Sequence, residues 1–87
     1  MQVEIPVDGD LDLHAFLPRD LDDLVPRYLG ECREKGILHV RLVHGKGTGA
    51  LRNKVHAILR RMEGVRSFRL AGHEAGGWGA TIVLLRP

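Results

Sequence analysis

The chain has 87 residues, of which 44% are apolar, and a net charge of +2. A chain of this length forms one domain with a modest core, and its apolar share argues against disorder. Its single cysteine, Cys32, excludes an intramolecular disulfide. No apolar run reaches the length of a membrane span, and no signal-peptide pattern opens the sequence. We therefore expect a monomer in a reducing cytoplasm, without membrane contact.

The charges are unevenly distributed along the chain. Residues 1–31 contain eight acidic and two basic side chains, a balance of −6, whereas residues 32–87 contain eleven basic and three acidic ones, a balance of +8. Basic clustering of this kind is typical of proteins that bind phosphate-rich partners. Solvated helix faces with ordinary ion pairs are the alternative explanation.

The first part of the chain predicts an arm, a strand and a helix. Residues 1–10 are expected to form the arm, and residues 11–87 the folded domain. Leu11–His14 alternates apolar and polar side chains, as in a short strand. A helix follows, because one apolar stripe recurs at helical spacing and Gly36 suits the position just after a helix end. Pro26 predicts a kink in this helix or a later start. The stripe consists of Leu21, Leu24, Val25, Tyr28, Leu29 and Cys32.

The remainder predicts a strand at Ile37–Val43, a helix at Leu51–Met62, a strand at Val65–Ala71 and a last strand at Ala80–Leu85. The order is therefore β-α-β-α-β-β. Short loops and right-handed crossovers make the first three strands parallel, and the last strand then pairs antiparallel as a hairpin partner. We predict an α/β domain, a two-layer sandwich in which two helices cover one face of a mixed four-stranded sheet.

The segment His44-Gly45-Lys46-Gly47-Thr48-Gly49 links the second strand to the second helix. Glycines at alternate positions let the backbone approach a ligand, a lysine adds a cation, and the helix N-terminus directs free N–H groups into the loop. These features predict binding of a phosphate or another anion. The spacing differs from a Walker A loop, and it matches the dinucleotide fingerprint only weakly. The candidate binding residues are Gly45, Lys46, Gly47, Thr48, Gly49 and Arg52.

Three polar or glycine-rich segments follow the ends of the three parallel strands. They are Asp12 with His14, the loop that begins at His44, and Gly76-Gly77-Trp78-Gly79. Gly77, Trp78 and Gly79 are further candidate residues for binding nucleic acid or phosphate. The carboxyl ends of parallel strands share one edge of a sheet, where open α/β sheets usually bind ligands. Trp78 is either a stacking platform for a base or a side chain that packs across this edge.

Asp12, His14 and His44 are the candidate catalytic residues. Asp12 and His14 project to one side of a strand, where a carboxylate orients an imidazole and stabilises its protonated form. With His44 across the edge, a two-histidine acid–base pair is predicted to cleave a phosphodiester, while Lys46 and the loop N–H groups hold the charge. A turn cap and a hydrogen-bonded structural histidine are the alternatives for Asp12 and His14. The other histidines, His39, His56 and His73, are interpreted as surface residues.

The substrate determines the nucleophile of this predicted reaction. On RNA it is the neighbouring 2′-hydroxyl, whereas on DNA it is water. In the second case Asp12 is a candidate ligand of a divalent metal ion.

These segments, in this order, resemble the small MutS-related (Smr) domain over residues 11–85. Leu11-Asp12-Leu13-His14 resembles the first motif of that family, and the loop that begins at His44 resembles the second. Gly76-Gly77-Trp78-Gly79-Ala80-Thr81 is similar to the glycine-rich segment before its last strand. Ala15 stands where the family often has glycine, a difference confined to the local turn.

The resemblance implies a fold similar to the C-terminal domain of a bacterial translation initiation factor, and a nucleic-acid partner, DNA or RNA, with the ribosome in some members. It also implies endonuclease activity, which the family associates with the motifs that contain Asp12, His14, His44 and Lys46 here. The resemblance implies no particular cofactor, because metal dependence varies within the family. A non-catalytic nucleic-acid or ribosome-binding module and a small-anion or nucleotide binder are the alternatives.

Overall fold

The computed structural model describes residues 5–73 and 77–87, with Trp78 described by its backbone alone. Two helices and four strands follow in the predicted order. Short 3₁₀ turns at Pro18–Asp20 and Gly77–Gly79 precede the first helix and the last strand. Within the described residues, neither helix has the length and hydropathy needed to cross a membrane. The strands are β1 (Asp10–Asp12), β2 (His39–Val43), β3 (Val65–Leu70) and β4 (Ala80–Leu85), and the helices are α1 (Leu21–Glu34) and α2 (Ala50–Arg61).

The four strands form one mixed sheet in the order β1-β2-β4-β3. β1 pairs parallel with β2, and β4 pairs antiparallel with both β2 and β3, so β1, β2 and β3 run in one direction as predicted. The pairing of β4 with β2 goes beyond the predicted hairpin and makes β4 a central strand. Five of its six residues are buried, in agreement with its nearly continuous apolar sequence.

The ends of α1 and β1 can be compared with the predicted boundaries. α1 begins at Leu21 and continues through Pro26, so the predicted later start is wrong. Gly36 has φ +76 just after the helix end, as its position in the sequence predicts. β1 ends at Asp12, earlier than predicted: the Leu13 N–H still donates to the Val43 carbonyl at 2.7 Å, and the chain then turns, with the Asp12 side chain accepting the His14 N–H at 3.0 Å.

The two helices and one face of the sheet enclose the main core. Val40 and Val83 pair across β2 and β4 and lie in the same apolar cluster as the helix stripes. At the surface, Lys54 and Arg61 of α2 reach Asp22 of α1 at 2.8 and 3.7 Å, which ties the helices together. The largest fully buried side chains are Leu13, Leu21, Leu29, Leu42, Leu59, Val25, Val40, Val55, Val83, Thr81 and Cys32.

The opposite face of the sheet carries a smaller apolar cluster. Ile82 packs there with Ala71, Ala80 and Val43. Leu84 points to this face as well and is 40% exposed. The apolar side chains of the chain are therefore divided unequally between the two faces, and the helical side holds most of them.

Replacement of Leu29 by Ala tests this division. The side chain of Leu29 is fully buried, so its truncation leaves a cavity and should lower the free energy of unfolding by about 2–5 kcal/mol. Leu84→Ala makes the same chemical change on the exposed face and should cost less than about 1 kcal/mol. Urea denaturation followed by circular dichroism measures both values. Equal losses in the two variants would contradict the position of the core.

Candidate functional site

The carboxyl ends of β1, β2 and β3 lie at one edge of the sheet, where β4 begins. Asp12, the last residue of β1, pairs with Val43, the last residue of β2. Val43 also pairs with Ala80, the first residue of β4. The segments that contain His14, His44 and the glycine before β4 therefore emerge next to one another.

Asp12 and His14 form a hydrogen-bonded dyad at this edge. Oδ1 of Asp12 lies 2.6 Å from Nδ1 of His14 and also accepts the His14 backbone N–H at 3.0 Å. Because a carboxylate only accepts, Nδ1 carries the hydrogen and Nε2 of the neutral ring has a lone pair. The His14 side chain is 71% exposed, so a ligand can reach Nε2. The backbone bond from His14, followed by the bond from its ring, lowers the pKa of the Asp12 carboxyl.

His44 has a very different environment. The residue is only 4% exposed, and both nitrogens of its ring have partners inside the protein. Nδ1 lies 3.0 Å from the Gly45 carbonyl oxygen, and Nε2 lies 2.8 Å from the Thr81 hydroxyl oxygen. Burial is the largest cause that lowers the pKa of His44, and the positive charge of Arg52 acts in the same direction. His44 is therefore a neutral, enclosed imidazole.

His56 on α2 belongs to the same cluster, and its interpretation as a surface residue is wrong. Its Nε2 lies 2.8 Å from the Thr81 hydroxyl that His44 also contacts, and the two rings are edge-on with centroids 6.1 Å apart. Phe68 packs against another side of the ring at 4.9 Å. Burial, followed by the neighbouring His44 ring and the guanidinium groups of Arg60 and Arg52, lowers the pKa of His56. The sequence does contain a signal for polar partners of this strand. Thr81 is the one polar residue of an apolar strand, and a buried hydroxyl needs hydrogen-bond partners.

The sheet separates the two histidines that were predicted to act as a pair. Side chains alternate along β2, so His44 shares the helical face with Leu42. Asp12 is paired with Val43, points to the opposite face and holds His14 there. No hydrogen bond joins the two rings among the residues described. Both His44 nitrogens are hydrogen-bonded within the protein, and the structure does not bring the two imidazoles together as a pair.

The glycine loop is held against the segment that precedes β4. The Gly79 carbonyl accepts the N–H of His44 at 3.0 Å and that of Gly45 at 2.8 Å. A Cβ on Gly79 would lie 3.2 Å from Cγ of Lys46 and 3.6 Å from the Gly45 carbonyl carbon, so glycine permits this close approach. At the other end of the loop, Gly49 is the N-cap residue just before α2 and has φ +88, a conformation that favours glycine.

A cleft of about 220 Å³ opens between this loop and the N-terminus of α2. Thr48 Oγ1 accepts the Ala50 N–H at 3.3 Å, whereas the N–H groups of Leu51 and Arg52 have no hydrogen-bond partner in the described part of the chain. Arg52 folds over Gly49, since a Cβ there would lie 2.6 Å from its guanidinium. Free N–H groups, the helix dipole and a guanidinium together favour an anion in the cleft.

The glycine-rich segment before β4 is described only in part. The Gly77 N–H donates to the Gly72 carbonyl at 2.9 Å, whereas Gly76 and the side chain of Trp78 lie outside the described residues. Among the side chains that are described, no group of three or more histidines, cysteines and carboxylates is arranged to hold a metal ion. Asp12, His14, Lys46, Gly47 and Thr48 are the exposed residues of the predicted site among those described, and His39 and His73 are exposed as predicted.

The family model of the Smr domain matches residues 11–86, and the chain belongs to this family. Endonuclease MutS2 from Thermomicrobium roseum is 42% identical over 79 residues, which are 91% of this chain and 10% of that protein. The chain thus spans about a tenth of the length of the curated relatives it matches. The resemblance drawn from the three motifs is confirmed.

Two solved structures share the fold. The crystal structure of the Smr domain of Thermus thermophilus MutS2 matches with a TM-score of 0.87 and 41% identity, over 92% of this chain and 100% of that one. YdaL, a stand-alone small MutS-related protein from Escherichia coli, matches with a TM-score of 0.84 and 25% identity, over 91% of this chain and 65% of that one. The predicted α/β class, with two helices on a mixed four-stranded sheet, is confirmed.

Gly49→Ala should destabilise the start of α2. A Cβ requires a left-handed conformation at φ +88 and meets the Arg52 guanidinium, so we expect a loss of about 1–2 kcal/mol in the free energy of unfolding. Gly47→Ala is the matched control, because nothing lies within 4 Å of its added Cβ and its φ is not positive. Thermal and urea denaturation measure the two changes. A loss in Gly47→Ala as large as that in Gly49→Ala would contradict the loop geometry.

Acidification should destabilise the protein through His44 and His56. The pKa of each is lowered from 6.5 in the folded state, so the unfolded chain binds protons more readily. Stability is therefore full above about pH 6.5 and declines as the pH falls toward the lowered values, by at most about 1.4 kcal/mol per pH unit for each histidine. Urea denaturation between pH 7.5 and 5.5 measures this slope.

The control for the pH series separates these histidines from an exposed one. His56→Gln should reduce the decline, whereas His39→Gln should leave it unchanged, because His39 is exposed. A free energy of unfolding that stays constant across this range in the wild-type protein would show that the two imidazoles are not enclosed as described.

Proposed function

We propose that this protein is an Smr-type nucleic-acid-binding domain that cleaves phosphodiester bonds at the carboxyl edge of its sheet. The observation that carries the proposal is the dyad of Asp12 and His14, with 2.6 Å between Oδ1 and Nδ1 and an exposed side chain at His14. Membership of the Smr family and 42% identity to a protein named Endonuclease MutS2 support the same activity.

His14 acts as the general base in this proposal. Asp12 holds Nδ1–H, so Nε2 accepts a proton from the attacking oxygen, and the carboxylate stabilises the imidazolium that results. On RNA the 2′-oxygen forms a bond to phosphorus and the bond to the 5′-oxygen breaks. The leaving oxygen takes a proton from water, and the remaining hydroxide takes the proton from His14. On DNA, water replaces the 2′-hydroxyl, with a divalent ion at Asp12 as the open alternative.

The glycine loop binds phosphate in this proposal. The unpaired N–H groups of Leu51 and Arg52 face the cleft of about 220 Å³, and the guanidinium of Arg52 stands beside it. Lys46 adds a cation on the exposed part of the same loop. Such contacts recognise the backbone of a nucleic acid irrespective of its base sequence, and their strength falls as salt is added.

A non-catalytic binding module is the second candidate, and one bond of the dyad favours it. Oδ1 of Asp12 also accepts the backbone N–H of His14 at 3.0 Å, which makes the carboxylate part of a local turn. A purely structural carboxylate would form the same bond. A protein of this kind would use the same cleft to bind RNA, DNA or a ribosome and would cleave none of them.

A cleavage assay with His14→Ala decides between the two candidates. The variant should cleave about 10²–10⁴-fold more slowly than wild type, because it lacks the base, and its Kd should change by no more than about twofold. Labelled single-stranded RNA, hairpin RNA and branched DNA serve as substrates, each with magnesium and with a chelator. His39→Gln, which removes an exposed histidine of β2, is the matched control.

Each outcome of this assay has a separate meaning. Cleavage that persists in His14→Ala would exclude His14 as the base. A wild-type protein that binds but cleaves no substrate would be the binding module.

For either candidate, the logarithm of the affinity should fall linearly with the logarithm of the salt concentration, and Lys46→Ala should make that dependence less steep.

A further inference from the structure

The hydrogen bonds around Thr81 have one consistent assignment. The Gly45 carbonyl can only accept, so Nδ1 of His44 carries a hydrogen and Nε2 of the neutral ring carries none. The Thr81 hydroxyl must then donate to His44 and accept from Nε2–H of His56, each over 2.8 Å. A directed chain of hydrogen bonds therefore runs from α2 through β4 to the glycine loop.

The last bond of this chain fixes one peptide of the loop. Gly45 donates its N–H to Gly79 at 2.8 Å, and its carbonyl accepts from the His44 ring at 3.0 Å. The C=O and N–H groups of a trans peptide point in opposite directions, so this bond also fixes the direction of the Lys46 N–H, away from the ring. A carbonyl released from the ring could turn toward the neighbouring cleft, where its partial negative charge would repel an anion.

We propose that His44 is a positioning residue, which Thr81 and His56 hold in place so that the Gly45 peptide admits a phosphate to the cleft, and that His44 takes no part in proton transfer. This inference rests on the proposed function, because the phosphate belongs to the nucleic acid that the domain binds. The two motif histidines then have separate tasks: His14 moves the proton, and His44 shapes the anion site from within the core.

The binding test uses two substitutions of Thr81. Thr81→Val keeps nearly the same shape without the hydroxyl, whereas Thr81→Ser keeps the hydroxyl. Fluorescence anisotropy with labelled single-stranded RNA, in the His14→Ala background to prevent turnover, should show a Kd about five- to tenfold higher for Thr81→Val. Thr81→Ser should restore wild-type affinity, and His39→Gln should not change it.

Kinetics separate positioning from chemistry. In the background with an intact His14, Thr81→Val should raise KM by a similar factor and leave kcat and its pH profile unchanged, because the bond between Asp12 and His14 at 2.6 Å does not involve β4. A loss of kcat at unchanged KM would place His44 in the chemical step and overturn the proposal.

The state of the His44 ring can be read without a substrate. Long-range ¹H–¹⁵N spectra at neutral pH should show a protonated Nδ1 on His44 and a protonated Nε2 on His56, and His44→Gln assigns the signals. In Thr81→Val the Nε2 resonance of His44 should shift, because it loses its donor. A protonated Nε2 on His44 in the wild-type protein would overturn the proposed chain.

An unchanged affinity in folded Thr81→Val would also overturn the proposal, with thermal melting as the check on folding. If this variant does not fold, His56→Leu, which has no donor for the Thr81 hydroxyl, interrupts the same chain from α2 and should weaken binding in the same direction. If the wild-type protein binds no nucleic acid, the proposed function is wrong and so is the phosphate-binding role of the chain. The ring spectra still decide the hydrogen bonds, so the two failures are distinguishable.

Discussion

The position of β4 between β2 and β3 is the constraint on which the site depends. Antiparallel pairing on both sides places Ala80 beside Val43, and the residues that flank this pair then meet directly. Gly79 reaches the backbone of the glycine loop, and Thr81 reaches the imidazole of His44. If β4 paired with β3 alone, the Gly79 carbonyl would not lie beside β2, and the N–H groups of His44 and Gly45 would lose their acceptor. The start of the glycine loop therefore continues the hydrogen bonds between β2 and β4 beyond the ends of these strands. The register of the two strands determines which residues of the loop are held.

Alternation of side chains along the strands divides the edge into two environments. Asp12 points away from the helices, so the dyad with His14 is exposed to solvent. His44 points toward them, where burial favours a neutral ring with both nitrogens bonded. The same residue type therefore has an open lone pair on one face and none on the other. In a sheet of this kind, the face on which a histidine lies decides whether it can exchange protons with a ligand.

Most of the fold could be predicted from the sequence, because periodicity and glycine positions are local signals. Such signals predict the six main elements, the shared direction of three strands and the helical layer. The observed bounds of β4, Ala80–Leu85, are the same as the predicted ones. The central position of β4 and the contacts of the half-buried His56 could not be derived in this way. Both depend on contacts between residues distant in sequence, such as the 2.8 Å bond between His56 and Thr81. The separation of His44 from His14 could have been predicted from the sequence. Side chains alternate along β2, so His44 lies on the same face as Leu42, whereas Asp12 and His14 lie on the other face.

Local placement of charge supports an anion site more directly than the balance of +8 over residues 32–87. Several basic residues of that part are paired with acidic residues of the first part: Asp10 lies 3.5 Å from Arg41, and Asp22 binds both Lys54 and Arg61. These pairs fix the helices and the sheet edge, and they reduce the charge available to a partner. Arg52 has no carboxylate at ion-pair distance within the described residues, and it stands beside unpaired N–H groups at the start of α2. The cleft is thus where positive charge, backbone donors and a shaped cavity coincide, and each of these features favours an anion.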